Sequence, residues 1–118
     1  MHTARRKLLL ATVLCLTACG QVEQPFESPQ LSANEASQAM TKWARSCALC
    51  HVNGEGGAPS TGDQDAWRER LAKGQSTLLT HTIEGFNRMP AMGYCYDCTE
   101  SEYLHQIAFM AGKLEAAK

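Results

Sequence analysis

Apolar residues recur at three- and four-residue intervals in four stretches of the chain, and each stretch predicts one amphipathic helix. The first joins Ala36, Ala39, Met40, Trp43 and Cys47 and opens with Ser32-Ala33-Asn34-Glu35, the pattern of a capping box. This helix is expected to run from its cap into the residues around Cys47, with Trp43 packed inward. A short second helix, capped by Asp63, carries Trp67 and Leu71 on one face and is stopped by Gly74. A third, over residues 76–84, places Leu79, Ile83 and then Phe86 at helical spacing, with Gly85 as its stop. Thr99-Glu100-Ser101-Glu102 is a second capping box, opening a last helix with Tyr103, Ile107 and Met110 on one stripe and Phe109 beside it. Met40 and Met110 fall on helix faces as packing residues. His81 stands about 200° around its helix from Leu79 and Ile83, and His105 stands likewise to Tyr103 and Ile107, so both are expected to face solvent.

The segments between are of another kind. Residues 52–62 hold four glycines and a proline, too many for regular structure, and predict a loop. Residues 87–94 form another, in which Pro90 pushes Met89 into an extended conformation. Residues 20–31 carry two prolines and no apolar period, which reads as a tether of about 40 Å at full extension. No run with the period of a strand appears, so the fold class is all-α.

The N-terminus follows different rules. Arg5, Arg6 and Lys7 precede an apolar stretch over residues 8–17, far shorter than the roughly 20 residues that span a bilayer. It predicts a signal peptide over residues 1–18 whose end, Leu16-Thr17-Ala18-Cys19-Gly20, resembles a bacterial lipobox. Cys19 would then be the lipidated first residue of the mature protein, residues 19–31 its tether and residues 32–118 the one folded domain. Losing Arg5, Arg6 and Lys7 takes the charge from 11 basic and 12 acidic residues to 8 and 12, a net of −4. Nucleic acid is a poor partner for such a chain.

Cys47-Ala48-Leu49-Cys50-His51 carries the candidate chemistry. Cys-x-x-Cys-His is the attachment signature of covalent haem. Two thiols three residues apart lie about one helical turn from each other, which suits the two vinyl groups on one haem edge. His51 then falls beneath the porphyrin plane as proximal iron ligand. Of the six cysteines, Cys15 leaves with the signal, Cys19 takes lipid, and Cys47 and Cys50 take haem. Cys95 and Cys98 remain, and an export compartment favours a disulfide between them. Met89 in its loop is the first choice of distal ligand, with Met92 as rival.

A helix ending in the haem motif, a glycine-rich loop, a Met-Pro loop and a terminal helix together resemble a class I c-type cytochrome. Gly57-Ala58-Pro59 with Gly62-Asp63, then Trp67 and Arg70, Met89-Pro90, and Cys95-x-x-Cys98 before Thr99 and Glu102 resemble the cytochrome c5 branch over residues 36–111. The resemblance implies a small fold of about four short helices around one haem c and its iron, with His51 and Met89 as axial ligands. It implies that the Pro59 carbonyl fixes the His51 ring, that Trp67 and Arg70 stand near a haem propionate, and that Phe109 meets Trp43 where the terminal helices cross. Ala91 and Met92 depart from the branch, which commonly has a second proline and then a basic residue there.

The function expected is one-electron transfer between membrane-associated redox proteins, without a small-molecule substrate, by a monomer anchored at the periplasmic side of a bacterial membrane. The alternatives are a haem enzyme or gas sensor of peroxidase type with an open sixth site, a thiol-disulfide oxidoreductase, or a zinc site from Cys47, Cys50, Cys95 and Cys98.

Overall fold

A computed structural model describes residues 24–114. The predicted signal peptide and Cys19 lie outside them. Among the described residues the fold is all-α: α1 (Ala33–Arg45), α2 (Ala48–His51), α3 (Gln64–Leu71), α4 (Gln75–Glu84) and α5 (Glu100–Met110), with single 3₁₀ turns at Glu55–Gly57 and Ala91–Tyr94.

Both capping boxes form. Ser32 accepts from the Glu35 amide while the Glu35 carboxylate takes the Ser32 amide, and Thr99 and Glu102 do the same for α5. These reciprocal bonds satisfy amides that a helix start leaves without partners. Glu102 does more, because Lys42 of α1 lies 2.8 Å from its carboxylate and ties the two helices together. Burial alone would raise the Glu102 pKa, but Lys42 and the Thr99 amide outweigh it and hold the carboxyl below its ordinary value. Nearby, Trp43 meets Phe109 edge to face with ring centroids 4.9 Å apart, worth about 1 kcal/mol beyond the area buried.

The first helix does not run into the haem motif as its periodicity predicts. It stops at Arg45, and Ser46 leaves the helical region at φ −132° and ψ −87°. The Ser46 hydroxyl donates to the Lys42 carbonyl at 2.6 Å, the local competition with helical bonding that serine offers. Cys47 thus begins a new turn with its own direction.

Two other expectations are corrected. On α4 the buried residues are Leu78 and Thr82, one position earlier than the Leu79 and Ile83 face. Thr82 can face inward because its hydroxyl donates to the Leu78 carbonyl at 2.9 Å. On α5 every residue from Glu102 to Ala108 is buried, His105 included, because the helix is covered on several sides, by α1 and α4 among others. His105 therefore does not face solvent, and its Nδ1 is buried without a protein partner.

The segment expected as a tether is in part docked. Phe26 packs against the core of Trp67, Leu78, Ile107, Met110 and Ala111, and the Gln24 carbonyl accepts from the Gln75 amide at 3.1 Å. The absence of an apolar period hid this, since one aromatic residue makes the contact.

Candidate functional site

The turn after Ser46 gathers three side chains. The amides of Cys50 and His51 both reach the Cys47 carbonyl, at 3.2 and 3.0 Å, so Cys47, Cys50 and His51 sit on one tight turn while Leu49 is turned outward, 60% exposed. His51 is buried, with Nδ1 2.9 Å from the Pro59 carbonyl oxygen. A carbonyl can only accept, so Nδ1 carries the proton and Nε2 is left as the electron-pair donor. Burial pushes the His51 pKa below its ordinary value; the Pro59 carbonyl opposes that and the Arg70 charge adds to it. The neutral ring is the form that binds a metal. The loop carrying Pro59 is closed by the Thr61 amide on the His51 carbonyl at 2.7 Å.

Trp67 lies beside that histidine. Its ring centroid is 5.9 Å from that of His51, and its indole N–H donates to the Ser60 carbonyl at 2.8 Å. The indole N–H is thus engaged by the backbone, and the ring lies beside His51. Arg70, on the same helix, donates from Nη1 to the Ala66 carbonyl at 2.6 Å and lines the cleft.

The opposite wall is the loop after α4. Gly85 takes φ +87°, and Phe86 and Met89 exchange amide-to-carbonyl bonds of 3.1 and 2.9 Å around Asn87, itself left-handed at φ +54°. Further on, a Cβ built on Gly93 would stand 3.4 Å from Met89 Cε and 3.8 Å from Cys47 Sγ. The end of Met89 and the first thiol therefore both lie against Gly93. Met92, at φ +60°, is not among the residues lining the cleft.

These walls enclose a cleft of about 270 Å³ whose lining includes Cys47, Cys50, His51, Pro59, Trp67, Arg70 and Met89. Burial pushes the Cys47 thiol pKa up, so it is a protonated thiol and not a reactive thiolate. Cys95 and Cys98 are joined to each other by a disulfide. Among the described residues, no group of three or more His, Cys, Asp and Glu side chains is arranged to hold a metal ion by itself, which leaves the four-cysteine zinc site without a basis.

Some residues of the site are not among those the sequence singled out. Gln106, 1% exposed, bridges Cys47 Sγ and Cys98 Sγ at 3.4 Å each and donates to the Ala39 carbonyl at 2.9 Å. The available signal is a polar residue one turn from Tyr103 and Met110 on a helix of apolar neighbours. His81 lines the cleft with its ring stacked on Phe86, centroids 3.9 Å apart, and Lys73 lies over the other aromatic partner at 5.6 Å. The expectation that His81 faces solvent misses this stack, because Phe86 lies beyond the helix end and its position follows from Gly85.

A paired set of thiols, an imidazole with one nitrogen tied to backbone, a thioether across an apolar cleft and basic side chains at the rim fit a haem. The family described as cytochrome C oxidase, cbb3-type, subunit III matches residues 26–110. Cytochrome c-555 of Chlorobaculum tepidum is 35% identical over 85 residues, covering 69% of this chain and 79% of that protein. Cytochrome c5 of Ectopseudomonas mendocina is 41% identical over 71 residues, covering 58% and 82%. Among solved structures, a chain from the crystal structure of an electron transfer complex of nitrite reductase with cytochrome c superposes with a TM-score of 0.58 at 30% identity, covering 71% of this chain and 98% of that one. The chain belongs to the class I c-type cytochromes, c5-like, and is an electron carrier, not an enzyme, that works through covalently attached haem c and its iron.

Proposed function

We propose that Cys47 and Cys50 hold the haem by thioether bonds, that His51 and Met89 are its axial iron ligands, and that the carrier works as a monomer at the periplasmic face of a bacterial membrane, anchored by lipid on Cys19. Its donor and acceptor are redox proteins. The observation that supports the ligand set best is the convergence of Met89 Cε and Cys47 Sγ on Gly93, across the cleft that His51 lines.

When bound, the haem iron supplies one-electron chemistry by passing between ferrous and ferric states. The chain's own residues set the conditions. The Nδ1 bond to Pro59 fixes the His51 tautomer and presents Nε2, and Trp67 limits tilting of the ring. Met89 would hold the iron from the side of the cleft away from His51 and so would exclude oxygen and peroxide. A thioether ligand would also raise the potential relative to more basic ligands.

Intact mass and membrane partition test this reading. In a host with haem-attachment machinery, mature protein should carry haem that survives denaturation, and Cys47→Ala with Cys50→Ala should lose it. Cys19→Ser should leave the membrane fraction. Retained covalent haem in the double variant would overturn the attachment assignment, and retained membrane partition the anchor.

A further inference from the structure

We infer that residues 24–27 are a fixed strut that turns the α3–α4 corner of this cytochrome toward the membrane bearing its lipid. The inference rests on the reading of Cys19 as the anchor.

The strut grows out of a defect in α4. Gly74 precedes the helix and has no side chain to cap it, so the first-turn amides need acceptors from elsewhere. The Gln75 amide finds the Gln24 carbonyl at 3.1 Å, and Gln75 Oε1 in turn accepts from the Glu27 amide at 3.2 Å. One residue thus grips the arm on both sides of Pro25 and Phe26. Between the grips, Pro25 fixes its own φ and has no amide hydrogen to satisfy, while Phe26 packs on the core. Three attachments within four residues leave the arm no freedom to swing about its exit.

Length then decides what the anchor can do. From Gln24 back to Cys19 is five residues, at most about 18 Å of chain. A domain of this size is roughly 30 Å across, so a lipid on so short a link cannot let the domain roll over. Were the chain free as far as residue 31, the reach of about 40 Å would let every face meet the bilayer. The docked arm therefore selects one face. Arg68 and Lys113, both exposed, flank the exit beside Gln24 and Phe26 and have the sign that anionic headgroups attract, although Asp65 partly offsets Arg68.

The test uses full-length lipidated holoprotein in vesicles and oriented bilayers of phosphatidylethanolamine and phosphatidylglycerol. Polarised absorption should give a defined haem tilt in the native protein. Gln75→Ala combined with Phe26→Ser, which leaves the Gln75 amide on the Gln24 carbonyl as the arm's one remaining attachment of the three, should abolish the dichroism while vesicle cosedimentation and the isotropic visible spectrum stay unchanged. A fluorophore on Arg68→Cys should be quenched by nitroxide-headgroup lipid in the otherwise native protein and lose that quenching once Gln75→Ala and Phe26→Ser are both added. An isotropic native protein that still cosediments, or dichroism that survives in the combined variant, overturns the strut. Native protein that does not cosediment, or Cys19→Ser that does, overturns the anchor instead.

Discussion

A methyl group on Gly85 would stand 2.9 Å from the carbonyl oxygen of Met89. It would also lie 3.0 Å from the Ala91 amide nitrogen, and both atoms belong to backbone that cannot swing aside. The residue ending α4 thereby sets the path of the loop presenting Met89. Gly85 sits at φ +87°, where any side chain is strained even in open space.

Gly85→Ala should therefore displace the Met89 loop and cost about 1–3 kcal/mol of stability. A denaturant titration measures the cost. Added imidazole should bind the ferric iron more readily than in the native protein, because the displaced loop no longer presents the Met89 sulfur firmly. Gly57→Ala is the control: it has nothing within 4 Å of the new methyl, so it should show backbone strain without the gain in ligand access.

The buried imidazole of His105 predicts a pH dependence. Burial lowers its pKa, so the unfolded chain binds the proton more readily than the folded one. The folded state is then fully favoured above the unfolded value of about 6.5 and loses stability as pH falls through it toward the lower folded value. His105→Leu removes both the charge penalty and an unpaired buried nitrogen, and should gain about 1 kcal/mol at neutral pH. Stability measured from pH 7 to pH 5 should fall less steeply in the variant than in the native protein.

What could be read from the chain follows from the range of the interactions. The capping boxes and the stops at Gly74 and Gly85 are local chemistry: α1 and α5 begin at their boxes, α4 ends beside Gly85, and α3 ends three residues short of Gly74. The attachment motif and its histidine are contiguous, so their grouping needs no tertiary information. The face of α4 was displaced by one position because Thr82 hides its hydroxyl on its own helix, which no hydropathy period registers. Periodicity puts His105 on the solvent side because it assumes one buried face, while α5 is covered almost all round. The role of Gln106 depends on residues as far away in sequence as Ala39, and no single window contains both.

The Cys95–Cys98 bridge closes a very short loop and should contribute only about 2 kcal/mol through chain entropy. It sits against well-fixed neighbours, since the Tyr103 hydroxyl donates to the Cys95 carbonyl at 2.6 Å and Gln106 contacts the Cys98 sulfur. Replacing both cysteines by alanine should lower stability by about that amount and leave haem attachment and electron transfer intact. Should the double variant keep its spectrum and fold yet transfer electrons at a small fraction of the native rate, the bridge has a redox part to play.

Met89 and Met92 differ in where their backbones put them, and one pair of variants separates their roles. Pro90 holds Met89 extended, its amide and carbonyl are both bonded to Phe86, and its Cε lies against Gly93 in the cleft. Met92 is three residues further on, in a left-handed turn outside the cleft lining. His81 is another cleft residue able to bind iron, but its ring lies flat against Phe86. Met89→Ala should therefore remove the long-wavelength sulfur-to-iron band of the ferric protein, lower the midpoint potential and admit added ligands. Met92→Ala should keep the band, and Met92→Gly should do so with a gain in stability of up to about 1 kcal/mol, because glycine accepts a positive φ without strain. A band lost from the Met92 variants alone would move the ligand three residues along the loop. A native protein with no band at all would mean a sixth site that is open or held by something other than sulfur, and a spectral change in His81→Ala would single out that imidazole as the ligand.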